Sequence, residues 1–322
     1  MKGFIVTEIY LEGIPGNKKD QIETEIKDAL KIFFKNRKNP IGRIVVAKDF
    51  NETVKKFLNE SSWEKRDYNQ THEYGIAFAK TIPEFQNGKI SLNLILDRKL
   101  FQKLDSVGGL DRIGLFIHEF THAIDDKLRF EAVGEEKFRS VPKLKKEYLF
   151  SNAWIIWEEY HAERTVFKVY EALRNEGITF DYAPKLGNFE ALKNFLSSLS
   201  KFLKENIWKF RNWQLTPEEI SRLITGRVIS IVILCAYVFA LSDVVTKHKD
   251  RVVELSRLDG YEFLSEDLPQ IHDILLELYK KRKEYNPELA HKIGNSIDSI
   301  LKKCGLEMRD APKGYSIEVH DI

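Results

Sequence analysis

The chain has 322 residues, of which 43% are hydrophobic, 12% aromatic and 31% charged, and its formal net charge is +2. This composition is that of a folded globular protein, and it excludes wholesale disorder and a collagen-like fibre. The near-zero net charge provides no overall field to attract nucleic acid or an anionic membrane, so neither is expected as a partner.

The chain up to Asp97 combines helix and strand patterns. Apolar residues at helical spacing or in alternation predict a helix over 17–40, a strand over 43–48, a helix over 51–58 capped by Asn51, and strands over 74–80 and 89–96. In the last of these strands, Ile90, Leu92 and Leu94 alternate with polar residues, which is typical of a strand with one buried face. We therefore expect 89–96 to form an antiparallel edge strand.

Beyond Asp97 almost every segment has a helical pattern. We expect helices over 111–126, from 151 or 152 to 175, over 189–203, from 217 through 228–241, over 268–285 and over 287–303. Gly177 occupies a C-cap position, and Thr216 followed by Pro217 is a helix start signal. The stretch 177–187 contains Pro184 and is the predicted connection between a first domain, 1–176, and an α-helical domain, 188–310.

One apolar run, 228–245, approaches the length of a membrane span. Ser242 and Asp243 interrupt it, and Cys235 and Ala236 within it are small enough for neighbouring helices to approach closely. A buried central helix is the favoured interpretation, and a single span is the alternative.

The first sixteen residues carry Glu8 and Glu12 and lack the pattern of a secretory signal. With only Cys235 and Cys304 and no disulfide framework, a cytoplasmic location is expected.

The most specific chemical signal is the run His118-Glu119-Phe120-Thr121-His122. Because positions four apart lie on the same face of a helix, both imidazoles can reach one ion. Zn²⁺ accepts histidine nitrogen, and two ligands from one helix plus a third from elsewhere leave a position for water. Glu119, next to His118, can lean toward that water.

A third metal ligand is sought in the later helix that contains Glu158, Glu159 and Glu163, since position 128 is Leu rather than the His of a metzincin. On a helical wheel Glu159 lies in the middle of an apolar stripe, where a carboxylate is costly to bury unless a metal neutralises it. Glu158 points about 100° away, so Glu159 is the predicted ligand. Glu163 lies on the same stripe and is the candidate to accept a hydrogen bond from a ligand histidine, with an ion pair within the helix as the alternative.

The motif followed by a helix bearing Glu159 and Glu163 resembles the gluzincin branch of the zincin metallopeptidases, the thermolysin-like group. The resemblance covers roughly 74–177 and implies an α+β fold: a zincin-like catalytic domain with a small mixed or antiparallel sheet and a motif helix, followed by a mainly α-helical half. It also implies that 89–96, as the edge strand, binds extended peptide. The sequence departs from secreted members in lacking a signal peptide.

These observations predict a zinc-dependent metallopeptidase with one Zn²⁺ per chain and Glu119 as general base. The expected partner is a peptide or protein substrate. Tyr148, Tyr237 and His248 are candidates for stabilising an oxyanion, and the sequence does not choose among them. The alternatives are a metal-binding interaction protein with little turnover, and a membrane-attached protease that uses 228–245 as its span.

Overall fold

The computed structural model describes residues 7–35, 37–60, 71–72, 75–76, 78–86, 88–101, 106–177, 183–245, 248, 250–312 and 314–322. Within these ranges, side chains are described except at 71–76, 106–111 and 183–188. The chain divides into two compact units, 1–140 and 141–322. The fold is mixed α+β, as the sequence predicts.

The first unit is built around a four-stranded mixed sheet. Its elements are β1 (Glu8–Leu11), α1 (Gly16–Phe33), β2 (Ile41–Ala47), α2 (Phe50–Glu60), β3 (Thr71–His72), β4 (Gly75–Ile76), β5 (Ala79–Gln86), β6 (Lys89–Asp97) and α3 (Ser106–Arg139). The strand order is β1-β2-β6-β5, with β1, β2 and β6 parallel and β5 antiparallel to β6. The edge assignment of 89–96 was therefore wrong: β6 is internal and β5 is the edge strand.

Both faces of this sheet are covered by helices. On one face, Leu92, Leu94 and Leu96 of β6 join a core with residues of α1 and α3. On the other face, Ile95 packs with Val54 of α2. The predicted single buried face of β6 is thus corrected, because a strand in the middle of a sheet with helices on both sides is buried on both faces.

The boundaries of the early elements differ from the prediction in ways that local contacts explain. The Asp49 carboxylate accepts the Glu52 backbone N–H at 3.1 Å, so the α2 cap is Asp49 rather than Asn51. β1 was not predicted, and it pairs in parallel with β2. Part of the predicted strand over 74–80, including residues 74 and 77, lies outside the described residues.

α3, the helix that carries the histidine motif, is longer than predicted. It runs from Ser106 to Arg139, with a bend at Gly134, where φ is 76° and ψ is 168°. Glycine is the residue that adopts this conformation without strain, so the bend is tolerated at this position. Phe116, Phe120 and Ala123 anchor the helix to the sheet side of the core.

The second unit is mainly helical and ends in a β-hairpin. Its elements are α4 (Lys145–Asn175), α5 (Ala183–Ser197), α6 (Leu199–Arg211), α7 (Pro217–Val244), α8 (Asp250–Leu255), α9 (Asp267–Lys280), α10 (Pro287–Lys303), β7 (Leu306–Ala311) and β8 (Gly314–Val319). The hairpin was not predicted. The single helix predicted over 189–203 is two helices, and the Ser198 hydroxyl at the break donates to the Asn194 carbonyl at 2.6 Å.

The predicted domain connection at 177–187 falls inside the second unit, and the division follows Ser140. The reason is that α4 packs against α7 and α10, so it belongs with the helices that follow it. α4 also begins earlier than predicted, since the Glu147 carboxylate accepts the backbone N–H groups of Lys143 and Leu144 at 2.8 and 3.1 Å. Gly177, with φ of 89°, follows its C-terminus at the predicted position.

A polar network joins α4, α7 and α9 in the second unit. The Asp243 carboxylate of α7 accepts from the Tyr160 hydroxyl at 2.5 Å, the Arg164 guanidinium at 2.9 Å and the His272 ring at 3.0 Å. Burial acts to raise the pKa of Asp243, but these hydrogen bonds and charges outweigh it and lower the pKa. The residue that interrupts the apolar run therefore holds α4 in register against α7.

α7 contains the apolar run and begins as predicted. The Thr216 hydroxyl accepts the Glu219 N–H at 3.2 Å, and the Glu219 carboxylate accepts the Thr216 N–H at 2.8 Å, with Pro217 at the first helical position. Among the described residues α7 is the one helix long and apolar enough to cross a membrane. Within the fold, 72% of its most apolar window is buried.

Candidate metal centre

His118 and His122 converge on one side of α3. Their Nε2 atoms are 2.9 Å apart, and the ring centroids are separated by 4.6 Å. The helix geometry explains the convergence, since residues four apart are one above the other. Phe116 and Phe120, two positions before each histidine, point into the core, so the imidazoles lie away from the sheet and are half-buried.

The donor set fits a zinc ion. Two imidazole nitrogens on one tetrahedral zinc, at about 2.0–2.1 Å from the metal, lie about 3.3 Å apart. The Nε2 atoms of His118 and His122 are within a few tenths of an ångström of that spacing. Their present contact requires a proton on one nitrogen, and metal binding would displace that proton.

Glu119 lies between the two histidines in sequence and faces the edge strand. Its side chain is buried, and its Oε2 accepts a hydrogen bond of 2.9 Å from the Thr81 hydroxyl of β5. The bond fixes one carboxylate oxygen and leaves Oε1 as the second acceptor. The acid of the motif is therefore oriented by the same strand that forms the edge of the sheet.

Two further carboxylates follow on α3. Asp125 is buried, and burial raises the pKa of Asp126 to about 6. The Asp125 and Glu119 carboxylates act in the same direction, whereas the Arg129 and Lys80 cations oppose it. The end predicted for this helix, at 126, was wrong, because α3 continues past both aspartates to Arg139.

The second unit carries the predicted third ligand. Glu159 is half-buried on α4, and its Oε2 accepts a 2.5 Å hydrogen bond from the Tyr237 hydroxyl of α7. Glu158 points elsewhere and accepts a hydrogen bond from the Trp154 indole of its own helix. The tyrosine thus orients Glu159, and Glu158 is engaged within α4.

The remaining residues considered for the site are Glu163 and His161 of α4 and the oxyanion candidates. Glu163 is buried. The His161 ring stacks on Trp157, with ring centroids 4.9 Å apart, which is aromatic packing inside the helical unit. Of the oxyanion candidates, Tyr148 packs against the Tyr315 ring, with centroids 5.5 Å apart.

Sequence reasoning missed Thr81 and the role of Tyr237 as a partner of Glu159. Neither could be read from spacing, because each contact joins elements far apart in the chain: 38 residues separate Thr81 from Glu119, and 78 separate Tyr237 from Glu159. Thr81 directly follows the strand predicted over 74–80, but only the packing of α3 against β5 shows that this strand lies beside the motif helix.

A second group of possible ligands, Glu307, Glu318 and His320, lies in the terminal hairpin. Arg309 contacts Glu307 at 3.1 Å and Glu318 at 2.8 Å, so both acids already have a cationic partner. This group is a surface ion-pair network.

No family model, curated protein or solved structure matches the chain significantly.

Proposed function

We propose that the chain is a zinc-dependent metallopeptidase of the gluzincin type. In this proposal His118 and His122 hold the ion, Glu159 is the third ligand, and Glu119 is the general base. One Zn²⁺ is bound per chain, and the fold of the catalytic part is zincin-like. The site acts on a peptide or protein substrate in the cytoplasm.

The observation that carries the proposal is the 2.9 Å approach of the two Nε2 atoms beside a buried, oriented Glu119. A purely structural zinc site has no need of an acid next to its ligands, whereas hydrolysis requires a base there. The buried Asp125 and the partly buried Asp126 add negative charge to the same helix and favour a cation.

Glu159 supports the proposal from the second unit. A half-buried carboxylate is costly to desolvate unless it has partners, and the Tyr237 hydroxyl donates to the Oε2 atom of Glu159. A carboxylate that binds a metal commonly also accepts a hydrogen bond from a neighbouring side chain, which orients it. Glu163 stays the candidate to accept from the outer nitrogen of a ligand histidine.

When bound, zinc would lower the pKa of a coordinated water toward about 7 and polarise a carbonyl group. The Oε1 atom of Glu119 accepts the proton of the attacking water, while Thr81 keeps Oε2 in place. The same carboxyl group then delivers the proton to the departing amine. Thr81 restricts the rotation of this carboxyl and so keeps it aimed at the site.

β5 is the proposed platform for an extended substrate. Among the described residues, no strand pairs with the outer edge of β5. An extended peptide can add to such an edge through main-chain hydrogen bonds. This role passes from β6, which the sequence suggested, to β5, which also provides the hydroxyl that contacts Glu119.

Substitution of Glu119 by Gln tests the proposal. E119Q should retain zinc but lose hydrolysis of a fluorogenic peptide library, because the amide cannot accept the proton. Glu131→Gln, at an exposed position of the same helix, is the matched control and should keep wild-type activity. Zinc binding without turnover by the wild-type chain would instead support the non-catalytic alternative.

A further inference from the structure

Two tryptophans of the second unit lie on its surface at the end of α6. Trp208 is 59% exposed and Trp213 is 95% exposed. Trp154 and Trp157, by contrast, are each 3% exposed within the same unit. The indoles of Trp208 and Trp213 therefore add little to the core.

Trp213 also occupies a strained backbone position. The Trp213 N–H donates to the Phe210 carbonyl at 3.0 Å, and the Gln214 N–H donates to the Lys209 carbonyl at 2.9 Å. These two bonds form a Schellman motif, whose left-handed residue is usually glycine. Trp213 has φ of 59°, a backbone conformation that glycine adopts without strain and tryptophan does not. Because its side chain is exposed, Trp213 contributes almost nothing to the core. A strained residue that does not stabilise the fold is a candidate for a functional role.

Two lysines of α6 lie next to Trp208. Lys204 lies one turn before Trp208 on the same face of α6, and Lys209 follows Trp208 directly. Among the described residues, neither lysine has a carboxylate within ion-pair distance. Lys201 is different, since it is 3.8 Å from Glu205.

We propose that the tryptophan–lysine patch, defined by Lys204, Trp208, Lys209 and Trp213, docks on the surface of an anionic lipid bilayer. Indole rings favour the headgroup layer, where the ring is shielded from water and its N–H stays hydrated. Unpaired lysines beside them attract anionic headgroups. The near-zero net charge of the whole chain predicts no attraction to an anionic membrane. In this proposal the attraction comes from the positive charge of the two lysines in the patch.

The surroundings of the patch favour a lipid surface over other partners. Within 199–216 the two tryptophans are the exposed large apolar side chains, and Lys209, Arg211, Asn212 and Gln214 beside them are exposed and polar or charged. Protein interfaces instead gather apolar side chains into a contiguous core. Two unpaired lysines offer few phosphate contacts to a nucleic acid. The contact is also distinct from a membrane span, because α7 remains buried in the fold.

Co-sedimentation of the full chain with vesicles tests the proposal. Wild type should bind phosphatidylcholine vesicles that contain about 30 mol% phosphatidylserine more tightly than vesicles of phosphatidylcholine alone. The double variant K204A/K209A should lose about 25-fold in affinity, at about fivefold for each lysine near the surface. The double variant K280A/K283A makes the same charge change at exposed positions of another segment and should bind like wild type.

Trp213→Gly separates binding from folding. Glycine relieves the left-handed strain, so the thermal midpoint should stay the same or rise while vesicle binding falls. Wild-type binding by W213G or by K204A/K209A would overturn the proposal. So would equal binding to both vesicle types, preference for an RNA oligonucleotide, or resistance to alkaline extraction, which would identify an integral helix.

Discussion

Asp126→Asn tests the electrostatics of the motif helix without altering a proposed metal ligand. Burial raises the pKa of Asp126 from 3.8 to about 6 in the folded chain. Between these two values the folded state keeps a proton that the unfolded state has lost. The free energy of unfolding contributed by this group therefore falls as pH rises through that window, and the loss is complete above about pH 6 to 7.

The size of the effect follows from the shift. One pKa unit corresponds to about 1.4 kcal/mol, so the full penalty on the ionised Asp126 would be about 3 kcal/mol. Because the Asp126 side chain is partly exposed, solvent screening reduces this value, and we expect about 1–2 kcal/mol. Asparagine has nearly the same shape as protonated aspartate and carries no charge at any pH. D126N should thus match wild type near pH 4 and be more stable near pH 8.

Urea unfolding of chelator-treated protein at several pH values measures the difference. Asp28→Asn, at an exposed position of α1, is the control and should show no comparable change with pH. A stability difference between D126N and wild type that is the same at about pH 4 and about pH 8 would refute the reasoning. Such a result would mean that the variant acts through packing and that the carboxyl is not desolvated.

The remaining predictions concern the proposed site. Thr81→Val should lower kcat for peptide hydrolysis by about tenfold with unchanged zinc content, because a hydrogen bond to a carboxylate is lost, and Thr81→Ser should recover most of it. If T81S is as slow as T81V, Thr81 has a packing role instead. Glu159→Ala should weaken zinc binding at least about 100-fold in a competition titration, whereas Glu158→Ala should leave it unchanged. The reverse pattern would reassign the third ligand to Glu158.

Local signals in the sequence predicted much of the helical part of the fold. The Thr216-Pro217 start of α7 and the Gly177 end of α4 are set by hydrogen bonds and φ preferences that act over a few residues. The start of α4 was missed because the cap is the side chain of Glu147, at a position that reads as ordinary helix. β7 and β8 were missed although Leu306 and Met308 alternate with polar residues before a turn.

The sheet shows what the sequence could not decide. The apolar alternation of β6 is correct, but whether a strand is central or at the edge depends on pairing with β2 and β5, which are distant in sequence. The same limit applies to the candidate site. The motif itself predicted the convergence of His118 and His122. The contact of Thr81 with Glu119 could not be predicted, because it depends on how β5 packs against α3. The burial of Asp126 could not be predicted either, because it depends on the continuation of α3 beyond this residue.

X-ray absorption at the zinc edge, on protein purified without chelator, tests the central claim most directly. We predict about one zinc per chain with histidine nitrogen ligands at about 2.0–2.1 Å, and loss of this signal in the double variant H118A/H122A. Protein that contains no metal and takes up none from added zinc, or zinc whose spectrum is unchanged in H118A/H122A, would contradict the account.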